Sequence, residues 1–288
     1  PKTQRKFAVF LPSYKEDKVI LESAKRALIQ DYPKALFDVI VIADSLKPET
    51  VAQLRELPIT TYEVTFETST KAKALNYAMS QLTEQYDIAL ILDADNIMAT
   101  DFITKLNATF DLGYQVVQGH RTAKNTNSPT AILDAISEEI NNHILRKGHR
   151  ALGLSSALIG SGMAFDYALF VDVMSEINAI GGFDKELEMR LLKRGIVFDY
   201  IEDAFVYDEK VQNAEVFEKQ RTRWIAAQFK YLKQNFASGV VHLFKGNIDY
   251  ANKVFQALLP PRIILLGMLI FFAFVSIFSG DFNFKVLA

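Results

Sequence analysis

The stretch IALILDADN, residues 88–96, decides the fold. Five apolar residues run unbroken from Ile88 to Leu92 and meet two carboxylates, Asp93 and Asp95, one residue apart. A strand with one wet face would alternate; an unbroken run this short reads as a strand covered on both faces, the pattern of a parallel sheet. The pattern recurs upstream in FAVFL (residues 7–11), ended by Pro12-Ser13-Tyr14, and in VIVIA (residues 39–43), ended by Asp44. Residues 59–66 place Thr60, Tyr62, Val64 and Phe66 on alternate positions, a further strand. Residues 18–30 carry Val19, Ile20, Ala24, Ala27 and Leu28 at helical spacing, and residues 70–82 read as another helix. Strand–helix alternation predicts an α/β domain with a mostly parallel sheet. Ligands bind such sheets beyond the carboxyl ends of the strands, so Tyr14, Asp44, Asp93 and Asp95 converge on one edge.

Downstream, residues 101–112 and 129–147 read as helices with a short strand, Val116-Val117-Gln118, between them. Residues 157–165 (ALIGSGMAF) are apolar but broken by glycines; a helix follows over 184–194 and a strand over 197–201. Residues 213–234 form a long amphipathic helix. From Ile263 to Phe278 the chain reads IILLGMLIFFAFVSIF, without charge. A spanning helix needs roughly 17–25 residues, which Pro260, Pro261, Ser279 and Gly280 could complete. A Phe-rich run with no polar face predicts a transmembrane segment rather than a buried core helix. The organisation expected is a catalytic α/β domain over residues 1–212, amphipathic interface helices over 213–259, and a membrane segment over 260–288. With its start at Pro1 and its end in Lys285-Val286-Leu287-Ala288, the chain is expected to be part of a longer, multi-pass membrane protein.

Composition removes several classes. A net charge of -2 over 288 residues argues against nucleic acid as a partner. There is no cysteine, hence no disulfide, thiolate catalysis or cysteine-ligated metal. The four histidines, His120, His143, His149 and His242, show no zinc-site spacing.

The residues at the sheet edge carry definite chemistry. Asp93 and Asp95 on a tight turn suit one hard divalent cation, Mg2+ or Mn2+, which in turn binds phosphate oxygens and offsets charge on a departing diphosphate. Lys73, at the start of a helix, suits an anion or is simply exposed. Gln220, Arg223 and Trp224 share one helix face, where an arginine can fork onto a diphosphate and an indole can stack on a sugar; core packing and a surface ion pair are the plainer reading. Asp184 is either a helix N-cap or a base that takes a proton from an acceptor hydroxyl, with Glu186 and Glu188 competing for that role. The run Gly160-Ser161-Gly162-Met163 either lets backbone approach a ligand or bends the chain.

In order, LPSYKE, VIADS, KAKALN, LDADN, VVQGHR, GSGMAF, GGFD with RLLKRG, and QRTRW resemble the inverting family 2 glycosyltransferases of GT-A (Rossmann-like) fold. The likeness is to the membrane-embedded branch of cellulose, chitin and hyaluronan synthases, and runs from about Phe7 to Trp224. It implies that Pro12, Ser13, Tyr14 and Glu16 hold the nucleotide base and ribose, with Asp44 a further base contact. Lys73 matches the lysine near the nucleotide, Asp93 the aspartate facing the nucleotide sugar, and Asp95 the metal ligand. Gln220, Arg223 and Trp224 match the Q-x-x-R-W signature, which holds the donor diphosphate and the acceptor. The family's Thr-Glu-Asp triplet is incomplete: counting back from Arg190-Leu191 lands on Asp184, with Phe183 where glutamate belongs, so Glu186 and Glu188 stay open as the base. Ala72 stands where glycine is common. The resemblance further implies a nucleotide-sugar donor of the UDP type, a glycan or lipid-linked acceptor, a Mg2+ or Mn2+ cofactor, and residence in the cell (inner) membrane with the catalytic domain cytoplasmic. Two rival readings are a nucleotidyltransferase, for which LPSYKE lacks the loop rich in glycine and basic residues near the first strand, and a non-catalytic membrane scaffold.

Overall fold

Burial on both faces is what turns the short apolar runs into strands: residues 7–11, 39–43 and 88–92 are all 2% exposed or less. The computed structural model describes residues 3–177, 182–260 and 262–278; Gly181, Pro261, Ser279, Gly280 and the last residues of the expected membrane segment lie outside them. The chain divides into two compact units, Pro1–Ala227 and Gln228–Ala288.

In the first unit, β1 (Phe7–Tyr14), α1 (Ile20–Ala27), β2 (Phe37–Asp44), α2 (Pro48–Arg55), β3 (Thr60–Val64), α3 (Lys71–Gln81) and β4 (Ile88–Ile91) alternate as expected, with α2 an addition. There follow β5 (Ile97–Met98), α4 (Phe102–Phe110), β6 (Val116–Ala123), α5 (Pro129–Asn141), a π-helical stretch (Asn142–Gly148) and α6 (His149–Ala151). The unit continues through β7 (Met163–Asp166), α7 (Tyr167–Ser175), α8 (Phe183–Lys193), β8 (Phe198–Asp208) and the first part of α9 (Ala214–Phe244).

The described strands form one sheet in the order β3-β2-β1-β4-β7-β6-β8-β5. Its β3-β2-β1-β4 half is parallel throughout. The other half is mixed: β6 and β8 pair in parallel, while β7 runs antiparallel to both β4 and β6, and β5 antiparallel to β8, so the expected mostly parallel sheet holds with two reversed strands. β1 extends through Pro12, which a central strand normally excludes. It is tolerated because β4 pairs only with Phe7–Phe10, so the missing Pro12 N–H falls on the side where the neighbouring strand has ended. β8 runs to Asp208 rather than stopping near Ile201; its register jumps from Gly119↔Ile201 to His120↔Phe205, a bulge that carries the strand to the ligand edge.

A buried ion cluster braces the β6–β8 side. Glu138 of α5 receives Arg121 Nη2 at 2.8 Å, Arg146 Nη2 at 3.3 Å and Lys210 Nζ at 3.8 Å. Lys210 also meets Asp208 at 2.7 Å, and Arg146 donates to Asn142 Oδ1 at 2.6 Å. Burial pushes the Glu138 carboxyl up, but the attraction of Arg121, Arg146 and Lys210 outweighs it and holds the pKa at about 2.

In the second unit α9 ends and α10 (Ile248–Gln256) follows a turn at Gly246. Gly239 admits Val254 so closely that an added Cβ would lie 2.9 Å from its Cγ1, and the Tyr250 hydroxyl donates to Asn235 Oδ1 at 2.9 Å. α11 (Arg262–Phe278) holds the apolar run, and its described side chains from Ile264 to Val275 include Leu266, Leu269, Ile270, Phe271, Phe272 and Phe274, all exposed. Its 17 residues rise about 26 Å, against a bilayer core of about 30 Å. Among the described residues no helix is long and apolar enough to cross a membrane.

Gly162, at φ +63°, sits where an added Cβ would lie 2.9 Å from Val206 Cγ2. Gly162→Ala is expected to lower stability by roughly 1–3 kcal/mol, read as an earlier urea midpoint at unchanged m-value. Glu138→Gln leaves three buried cations short of a counter-charge and is expected to cost roughly 3 kcal/mol at pH 7. Since the folded pKa lies below the ordinary carboxylate value, this difference between wild type and variant should be full above about pH 5 and vanish as pH falls toward 2; urea titrations at several pH values read it.

Candidate active site

The chain leaves β1 toward β2 on one side, while β4 flanks it on the other, so a crevice opens beyond the carboxyl ends of β1 and β4. A cavity of about 460 Å³ occupies it. Pro12, Ser13 and Tyr14 from the end of β1 and Asp44 from β2 line one part; Lys71, Asp93, Gly160 and Asp184 line another, with Gln220 and Trp224 from α9. An adjoining cavity of about 410 Å³ shares Tyr14, Asp93, Arg121, Gln220 and Trp224 and adds Glu16, Asp95, Asp208 and Lys210. The non-glycine residues with left-handed backbone among those described are Lys15 and Ser45, each one step past the end of β1 or β2. Such strain concentrates at ligand sites.

The turn that carries the two aspartates is held from beneath. The Asp93 N–H donates to Ser161 Oγ at 2.9 Å, Ser161 Oγ donates to Asn96 Oδ1 at 3.0 Å, and Asn96 Nδ2 donates to Asp208 Oδ1 at 2.9 Å. Burial, then the charges of Asp93 and Asp208, with a smaller push from Glu16, raise the Asp95 carboxyl to about 7.

Lys73 is not in the site. It is exposed, and its ammonium donates to the Thr68 carbonyl at 2.8 Å. Lys71 takes the place expected for it, with Nζ 2.5 Å from both Asp93 Oδ1 and the Gly160 carbonyl. The difference follows from the helix start: Thr70 is the N-cap, and side chains of a first turn point back over the N-terminus, which carries Lys71 toward the sheet edge.

The three carboxylates that compete as base separate by contact. Glu188 is fully buried, accepting from the Leu158 N–H at 2.9 Å and from Lys185 Nζ at 3.1 Å. Glu186 pairs with Arg190 at 2.9 Å. Asp184 lines the cavity and, among the described residues, has no ion-pair partner. It is not the N-cap of α8, which is Gly182 at φ +68°.

On α9, Gln220 and Trp224 reach the cavities, and Arg223 is exposed and lines neither. Arg221, which also lines neither cavity, has its guanidinium 4.9 Å from the Trp224 ring and 4.8 Å from the Phe217 ring and pairs with Asp134 at 3.1 Å. Asp208, Arg121, Lys210 and Lys71 were not found by sequence reasoning. Lys71 had a signal, lying in the same KAKALN as Lys73; the others are brought in by long-range pairing alone.

The donor set suits a nucleotide and a cation. Ser13 Oγ and Gln220 Oε1 are buried polar atoms of the cavity walls without a hydrogen-bond partner. The crowding of Asp95 by Asp93 and Asp208 is what a divalent cation relieves. Among the described residues no group of three His, Cys, Asp or Glu side chains is placed to hold a metal ion by itself.

Comparison with known proteins agrees with this geometry. A curated N-acetylglucosaminyltransferase of Rhizobium meliloti (strain 1021) is 27% identical over 241 residues, covering 77% of this chain and 55% of the relative, so the chain spans about half that protein's length. The mannosyltransferase PcManGT from Pyrobaculum calidifontis, solved with GDP-Man and Mn2+, superposes with a TM-score of 0.61 at 18% identity, over 96% of this chain and 82% of that one. S. aureus TarS 1-349, solved with UDP-GlcNAc, gives 0.52 at 18% identity over 72% and 59%. These likenesses show the fold, a mixed α/β sheet of the GT-A type. Residues 4–227 match the family described as "Glycosyltransferase like family 2", and the chain belongs to that family.

Proposed function

We propose that the chain catalyses transfer of a sugar, with inversion, from a nucleoside diphosphate donor to a hydroxyl of a glycan or lipid-linked acceptor. The observation that carries this reading is Asp184 on the wall of the same cavity that runs past Ser13, Asp44, Lys71 and Asp93. Pro12, Ser13, Tyr14 and Asp44 hold the base and ribose, with Glu16 beside them. Lys71 supplies positive charge at the donor, and Gln220 and Trp224 form the wall against which donor and acceptor sugars rest. Asp95 would hold a Mg2+ or Mn2+ ion, which when bound would supply charge to offset that of the departing diphosphate. Asp184 takes the proton of the acceptor hydroxyl. The freed oxygen bonds to the anomeric carbon as the bond from that carbon to the diphosphate oxygen breaks, and nucleoside diphosphate leaves. UDP-GlcNAc is the first donor to test, from the name of the curated relative and the ligand of TarS; UDP-glucose, UDP-galactose and GDP-mannose are the comparisons.

The exposed apolar surface of α11 supports attachment to a bilayer, and nucleotide sugars are cytosolic, so the catalytic face belongs on the cytoplasmic side.

Asp184→Asn should leave UDP affinity unchanged while turnover falls about 100-fold or more, because proton removal alone is lost; full turnover in an assay of UDP release would move the base elsewhere. Asp95→Ala should abolish transfer at every Mg2+ or Mn2+ concentration, and near-normal turnover would remove the metal assignment. Lys71→Ala should raise the donor KM about tenfold, whereas Lys73→Ala should leave both kinetic constants as in wild type.

A further inference from the structure

Asp93 and Asp95 stand one residue apart on a tight turn, and Asp208 lines the same cavity, 2.9 Å from Asn96 Nδ2; like charges gathered in this way repel one another. A turn in that situation spreads unless something other than the ligand holds it. The Asp93–Asp95 turn has neutral support on its inner side. Asn96 and Ser161 are 1% and 0% exposed. Through them the Asp93 backbone N–H is joined to Asp208 Oδ1 by the three hydrogen bonds already described, each 2.9–3.0 Å long. The Asn96 N–H closes the turn onto the Asp93 carbonyl at 3.1 Å.

Both ends of this relay are fixed. Ser161 lies between Gly160 and Gly162, and Gln118 Nε2 donates to the Ser161 and Gly162 carbonyls at 2.9 and 3.1 Å while its Oε1 accepts from the Ile159 N–H at 3.2 Å. The Gly162 N–H donates to the Ile91 carbonyl at 2.9 Å, at the last residue of β4. At the other end Asp208 is tied to Lys210 at 2.7 Å. The glycine run therefore does a third thing besides bending the chain or approaching a ligand: it delivers a hydroxyl under the acidic turn.

We infer that Ser161 and Asn96 are positioning residues for the divalent cation, setting the separation of the Asp93–Asp95 turn from Asp208 before the ion arrives. The inference rests on the metal-dependent reading of this site. Neither residue touches the ion or the donor; they act by removing the cost of drawing the carboxylates into place on binding.

The test measures Mn2+ binding directly, by electron paramagnetic resonance of free Mn2+ with UDP present, in the whole chain and in Ser161→Ala, Asn96→Ala, the double variant and Asp95→Ala. Asp95→Ala should lose Mn2+. Ser161→Ala and Asn96→Ala should bind it about 10–100-fold more weakly. Their affinity for UDP without metal should match wild type, and each should show one cooperative thermal transition. The double variant should be no weaker than the weaker single one, as for two members of one chain of bonds. Wild-type Mn2+ affinity in both single variants, with Asp95→Ala still defective, would overturn the relay and leave the metal reading standing. Failure of both variants to fold would also overturn it, since the bonds would then serve the fold. Absence of Mn2+ binding by the wild type in the presence of UDP would instead overturn the metal reading, and the relay with it.

Discussion

Mutual repulsion among Asp93, Asp95 and Asp208 is the constraint around which the ligand edge is built. Burial first, and then the charges of Asp93 and Asp208, push the Asp95 carboxyl to about 7, and the three carboxylates line one cavity. Lys71 answers from the start of α3, Lys210 from beyond the end of β8, and Arg121 from β6, its Nε 3.8 Å from Asp208. Arg121 and Lys210 are in turn held by Glu138, so α5 takes part in the site while keeping its own carboxylate engaged. The fold supplies each member from a different element, which is why a sheet half parallel and half mixed is needed: the parallel half ends its strands at the crevice, and β7 and β8 bring Ser161 and Asp208 to it from the other half.

The parallel half was legible because doubly buried strands leave an unbroken apolar run, and residues 7–11, 39–43 and 88–92 each do. The position of Asp93 and Asp95 after the last of these followed from the same pattern. α2 and α7 were missed, α7 because its nine residues, Tyr167–Ser175, follow directly on the apolar run of β7 and carry only one charge, Asp172. Lys71 and Lys73 stand two residues apart in one helix start, and only the packing tells that Lys71 is the one that lines the cavity. On α9, Gln220 and Trp224 line the cavities and Arg223 does not. Asp208, Arg121 and Glu138 were beyond reach: their meaning lies in pairings across 17 residues or more, and β8 had to cross a bulge before Asp208 reached the edge. The identity of the base, open among three carboxylates in the sequence, narrows once Glu186 and Glu188 are seen to be engaged in α8's own contacts.

The second unit follows different physics. α9 and α10 pack through Gly239 and Val254 with Tyr250 buried, whereas α11 presents large apolar side chains outward along its whole described length. A helix of that composition gains nothing from water, and a lipid or protein surface is the environment its side chains match. The chain covers about half the length of its curated relative.

The claim on which the rest depends is that a donor diphosphate and its cation sit on the Asp93–Asp95 turn, between Lys71 and Asp208. A crystal soaked with UDP and Mn2+ and measured at the manganese edge tests it most directly. The account predicts an anomalous peak within coordinating distance of the Asp95 carboxylate and of the diphosphate oxygens. UDP bound with the peak elsewhere, or with no peak and the phosphates turned away from Asp95, would contradict it.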